Sequence, residues 1–76
     1  MNEFYEDLAN AVIIQATKDW RQAVRTLKKH PRYHPALLTR EECERFFLGE
    51  WFMQLTNVDG RMILRKLKQE ENLHDE

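Results

Sequence analysis

From Glu3 to Lys29 the chain contains neither glycine nor proline, and this uninterrupted stretch limits the possible folds more than any other feature. Apolar side chains recur along it at Leu8, Val12, Ala16, Trp20, Ala23 and Leu27, at spacings of four and three that hold them on one face of a helix. Asn2 is placed to cap the start. Glu3, Glu6 and Asp7 suit the positive end of the helix dipole, and Lys28 and Lys29 suit the negative end. At about 1.5 Å per residue such a helix is roughly 40 Å long, the spine of a chain of only 76 residues. A chain of that size closes one small core and forms no second domain.

Beyond the spine the chain is divided into short pieces. Pro31 and Pro35 oppose helix continuation across HPRYHPALL, because proline lacks the amide proton and pushes the preceding residue out of the helical region. A loop over 30–38 is expected. Thr39 and Glu42 have the spacing of a capping box, which starts a second helix near Arg40 and carries it over about 40–48. Gly49 marks a bend or a C-cap, and a third helical piece covers about 50–56. The last helix spans about 58–71, with Thr56 or Asn57 as its cap and Asp59 in its first turn. Gly60 is expected to weaken that turn slightly, and the tail NLHDE, without apolar periodicity, to fray. No strand pattern is present. The expected fold class is all-α, a small helical bundle of one long N-terminal helix, two short helical pieces and a C-terminal helix.

Two Trp, four Phe and two Tyr supply the large side chains that so small a core needs. One cysteine, Cys43, excludes a disulfide within the chain and fits a reducing compartment. The first residues carry acids and no basic segment ahead of an apolar run, unlike a secretory signal. No apolar stretch approaches the roughly 20 residues that span a bilayer. The chain therefore reads as a soluble, cytoplasmic protein with no membrane partner.

The net charge of −1 conceals an uneven distribution. The first residues and the segment 41–60 are acidic, whereas residues 18–40 hold Lys18, Arg21, Arg25, Lys28, Lys29, Arg32 and Arg40 against Asp19 alone. At about 100° per residue, Lys18, Arg21, Arg25, Lys28 and Lys29 gather on the side of the first helix opposite Leu8, Val12 and Leu27. Ile14 falls there too, wasted on solvent unless another surface covers it. Such a stripe is either a solvated outer face or an electrostatic contact for phosphates or an acidic protein patch. Sequence-specific DNA recognition has little support. The pI of about 6.3 is low for such a domain. A recognition helix would offer Arg, Asn or Gln to base edges, whereas the second and third pieces are acidic and aromatic.

The segment CERFFLGEWFMQL places Phe46, Phe47, Trp51, Phe52 and Met53 close together beside Glu41, Glu42, Glu44 and Glu50. Most of these apolar residues belong to a core. So short a segment cannot bury both of its sides, and an aromatic, Phe52 or Phe47, is expected at the surface as part of a binding patch. His30, His34 and Cys43 are zinc-ligand types. Pro31 removes the helical presentation of the two histidines, and a fourth ligand would have to come from Glu44, an aspartate or His74, so neither a metal nor a cofactor is expected. A glycine-rich phosphate loop is missing and Cys43 has no evident base to activate it. The reading is a binding protein and not an enzyme.

The stretches AVIIQATKDWRQAVRTLKKHP and CERFFLGEWFMQLTNVDGRMILRKL resemble short uncharacterised proteins encoded on prophages and other mobile elements of Gram-positive bacteria. Together they cover more than half the chain, and the run from Trp51 to Leu67 is the most specific part. The resemblance implies a context, the cytoplasm of a bacterial host, in which small cofactor-free proteins bind and block host defence machines. Anti-CRISPR proteins are the best-defined class of that kind. The implied partner is a host protein or nucleoprotein effector, with Glu41, Glu42, Glu44 and Glu50 imitating phosphate charge in an RNA-guided nuclease. Two other readings stand beside it: a nucleic-acid-associated accessory or regulatory protein that uses the basic stripe, and a structural bundle, monomeric or homodimeric, whose charges are solvated.

Overall fold

A computed structural model of the protein describes the backbone of residues 3–74 and the side chains of residues 7–72. Among the described residues there are four helices: α1 (Glu3–Lys29), α2 (His34–Leu48), α3 (Glu50–Leu55) and α4 (Gly60–His74). No strand occurs among the described residues. The all-α layout is the one the sequence indicates. Asn2, expected to cap α1, lies outside the described residues.

The start of α2 differs from the sequence expectation. Pro35 lies inside the first turn of α2 and not in a loop. The first helical amides have no intrahelical acceptor, so a missing proton costs nothing there, and the fixed φ of proline already suits the helix. Tyr33, extended at φ −68° and ψ 105°, is the N-cap. Thr39 caps nothing; its hydroxyl donates back to the Pro35 carbonyl at 3.0 Å. The connection shrinks to the turn 30–33, closed by the Tyr33 amide donating to His30 O at 3.0 Å.

The boundaries of α4 also shift. The Asp59 carboxylate accepts the Arg61 amide at 2.9 Å and is the effective cap. Thr56 instead accepts the Val58 amide within the preceding turn. Residues 72–74, expected to fray, remain helical, while Asp75 and Glu76 lie outside the described residues.

Ala23 and Leu27 of α1 pack on Ala36 at the start of α2, and Trp20 meets Glu44 further along. Val12 and Ala16 share a groove with Phe46 and Trp51. Helix α2 therefore runs antiparallel to α1. The end of α4 returns to the end of α1, where Arg21 and Arg25 reach Glu70 and Glu71, so the path is up, down and up again. Trp20, Cys43, Phe47, Phe52, Leu64 and Leu67 form the core between the helices. Phe46 lies 5.5 Å from both Phe47 and Phe52 between ring centroids, and the Phe46–Phe52 pair is edge-to-face. Pairs of this geometry contribute about 0.5–1.5 kcal/mol beyond their burial.

Helix lengths decide what is left uncovered. Helix α1 has 27 residues against 15 in each of α2 and α4, so a spine of roughly 40 Å is covered by helices of about 22 Å. Trp20, Ala23 and Leu27 are buried, but Leu8, on the same face, is 54 % exposed.

Candidate functional site

The basic stripe is in large part a seam. Arg21 Nη2 lies 3.0 Å from Glu70 Oε2, and Arg25 Nε lies 3.2 Å from Glu71 Oε1. Lys28 Nζ donates to the Glu71 carbonyl oxygen at 3.0 Å. Glu71 is the buried charged residue of the described chain, and these two basic side chains hold it. Three of the five stripe residues thus fasten α4 to α1. Lys18 and Lys29 are exposed, as is Ile14. Angular placement opposite the Leu8, Val12 and Leu27 face does not anticipate the seam, because it covers α1 on that face alone and leaves no neighbour on the flank of the stripe. Helix α4 lies over the flank marked by the half-buried Val24.

The acidic residues also divide. Glu44 Oε2 accepts the Trp20 indole N–H at 3.0 Å, a link between α1 and α2. Glu41 pairs with Arg45 at 3.1 Å on the exposed side of α2. Glu42 and Glu50 are exposed. Cys43 is buried, and its thiol is pushed above its ordinary value, first by desolvation and then by Asp19, Glu42 and Glu44. That environment favours the neutral thiol over the nucleophilic thiolate. His30 and His34 are exposed at the turn between α1 and α2. Among the described residues, no three His, Cys, Asp or Glu side chains converge as metal ligands. No helix there is long and apolar enough to cross a membrane.

The expected exposure of Phe52 or Phe47 is corrected. Phe52 is fully buried and Phe47 nearly so, while their neighbours Trp51 and Met53 are 61 % and 72 % exposed. Gly49, in extended conformation between α2 and α3, resets the helical phase. Only one side of the six-residue α3 then touches the bundle, and Phe52 occupies it. Trp51 stands edge-on to Phe46, with ring centroids 5.6 Å apart, at the mouth of an open groove of about 320 Å³. Val12, Ala16, Cys43 and Phe46 supply its apolar walls, and Asp19 and Glu42 line it as acids. Leu8, Leu48, Met53 and Val58, each more than half exposed, lie toward the same end of the bundle.

A second surface emerges on α4. Arg61, Arg65, Lys66 and Lys68 are all exposed, whereas Glu70 and Glu71 turn to α1. In the sequence these residues do not stand out, because from residue 61 onward four basic residues balance four acids. Their segregation depends on which side of α4 is buried.

Comparison with protein-family models, with curated proteins and with solved structures gives no match for this chain. The class defined by fold and surface is an all-α bundle with an acid-lined aromatic groove.

Proposed function

We propose that the protein is a non-catalytic binding protein that docks on another protein through the groove between α1, α2 and α3. The observation that carries this reading is Trp51, more than half exposed at the edge of an apolar groove lined by Asp19 and Glu42. Exposed tryptophan is costly in water and among the side chains that contribute most to interfaces. The acids add selectivity for a basic partner and speed its approach.

In its most concrete form, the reading is an anti-CRISPR-like inhibitor that blocks an RNA-guided nuclease. The channel of such an enzyme is lined by basic residues that hold nucleic-acid backbone. Asp19 and Glu42 in the groove wall, with the exposed Glu50 next to Trp51 in sequence, offer it negative charge beside an aromatic anchor. The resemblance to proteins of mobile elements favours the same context. The alternative in which the α1 stripe grips nucleic acid has less support, since Arg21, Arg25 and Lys28 are engaged with α4.

The test is programmed DNA cleavage by a panel of purified RNA-guided nucleases, with the native protein and Trp51→Ala added separately. Inhibition by the native chain that the variant lacks supports the reading. Full cleavage throughout at large molar excess removes the inhibitor form of it.

A further inference from the structure

The outward side of α4 belongs neither to the core nor to the groove. At about 100° per residue, Lys68, Arg61 and Arg65 fall within an arc of roughly 60°, and Lys66 lies further round the same exposed side. Gln69 and Met62 lie between them, and no acid does. The acids nearest in sequence are committed elsewhere: Asp59 caps the α4 amides, Glu70 pairs with Arg21 and Glu71 with Arg25. Arg40 of α2 is exposed and lines the same cleft as Lys68; the acids of that cleft are engaged, Glu44 with the Trp20 indole and Glu71 with Arg25, so the positive surface extends beyond α4.

We propose that this face, Arg61, Arg65 and Lys68 with Arg40 and Lys66 at its margins, binds the phosphate backbone of a nucleic acid. The proposal is independent of the groove and its protein partner. From Arg61 to Lys68 the stripe is about 10 Å long, a distance over which one strand of duplex presents roughly three phosphates. Arginine suits this contact because its planar fork grips phosphate oxygens in pairs. The contact proposed is to the backbone, which carries no sequence information of its own. A lipid surface fits less well. A membrane-surface helix needs a broad apolar side, and in α4 that side, Leu64 and Leu67, is buried in the core.

The test is fluorescence anisotropy of the whole chain with a labelled random duplex and with a labelled single strand, from about 20 mM to about 200 mM salt. Binding that weakens with a log–log slope of about −3 is expected for three to four phosphate contacts. Arg61→Gln/Arg65→Gln/Lys68→Gln together should reduce the slope to near zero and weaken binding about 100-fold at low salt. Circular dichroism should report an unchanged fold, because all three side chains are exposed. Lys18→Gln on α1 should leave the slope unchanged. The proposal is overturned by absence of binding to both probes at low salt, or by a slope that the triple variant does not alter. Binding to vesicles of anionic phospholipid without binding to either nucleic acid also overturns it and assigns the face to lipid.

Discussion

The backbone of Gly60, in the first turn of α4, presses on the carbonyl of Phe47 near the end of α2. A Cβ at Gly60 would overlap the Phe47 oxygen, stand 2.9 Å from its carbonyl carbon and lie 3.1 Å from Phe52 Cδ1. Alanine in place of glycine normally stabilises a helix by about 1 kcal/mol. Here overlap with backbone outweighs that gain, and Gly60→Ala should destabilise the fold by about 3 kcal/mol. Thermal melting should record a fall of roughly 12–24 °C. An unchanged or higher melting temperature would show that α4 does not approach α2 this closely.

The Trp20–Glu44 hydrogen bond ties α1 to α2 through a buried indole. Glu44→Leu removes the acceptor and strands the N–H, at a cost of about 2 kcal/mol. Glu44→Gln keeps an acceptor oxygen and should lose less than about 1 kcal/mol. Urea unfolding of the two variants separates the bond from mere side-chain bulk, and equal losses would count against it.

The ion pairs should be far from equal. Arg45 and Glu41 are both largely exposed, so Arg45→Ala should change stability by no more than about 0.5 kcal/mol. Glu71 is buried, and Arg25→Ala leaves its carboxylate with one partner fewer. Because Arg25 itself is well exposed, solvent takes up part of that loss, and about 1–2 kcal/mol is expected. Chemical denaturation of both variants at one salt concentration makes the comparison.

Trp51 and Phe52 are adjacent in sequence and opposite in consequence. Phe52→Ala empties the centre of the core, at a cost of about 3–5 kcal/mol. That matches the whole stability of many domains this small, so the variant should lose its near-ultraviolet circular dichroism. Trp51→Ala should cost less than about 1 kcal/mol, since most of its surface already meets water.

Cys43 makes the fold sensitive to alkali. Burial and the acids Asp19, Glu42 and Glu44 hold the folded thiol above its ordinary value near 9.0. Its contribution is complete below that value, where the thiol is neutral in both the folded and the unfolded chain. As pH rises past it, the unfolded thiol ionises first, and stability falls until the folded thiol also ionises. Unfolding midpoints should therefore decline above about pH 9, and Cys43→Ala should flatten that decline. A thiol reagent should label the native chain much more slowly than the denatured one.

The long helix, the break at Pro31, the bend at Gly49 and the final helix could be read from the sequence, because each arises from local chemistry. Proline and glycine act on their own backbone, and a period of three to four residues is set within one helix. Pro35 shows the limit of even that local rule: the same residue breaks a helix or starts one according to which turn it occupies. The fate of the charged and aromatic side chains was decided by the tertiary structure. Arg21 and Arg25 became struts because α4 came to lie beside them, and Glu44 became an acceptor because Trp20, far away in sequence, turned toward it. Phe52 went inward and Trp51 outward because Gly49 reset the phase of α3. Gly60, which looked like a small defect in a helix, is the contact that lets α4 close on α2. The sequence by itself determined that four helices form and roughly where. The tertiary structure decided which charges are spent on the fold and which remain at the surface, because burial and pairing belong to neighbours that helical periodicity does not identify.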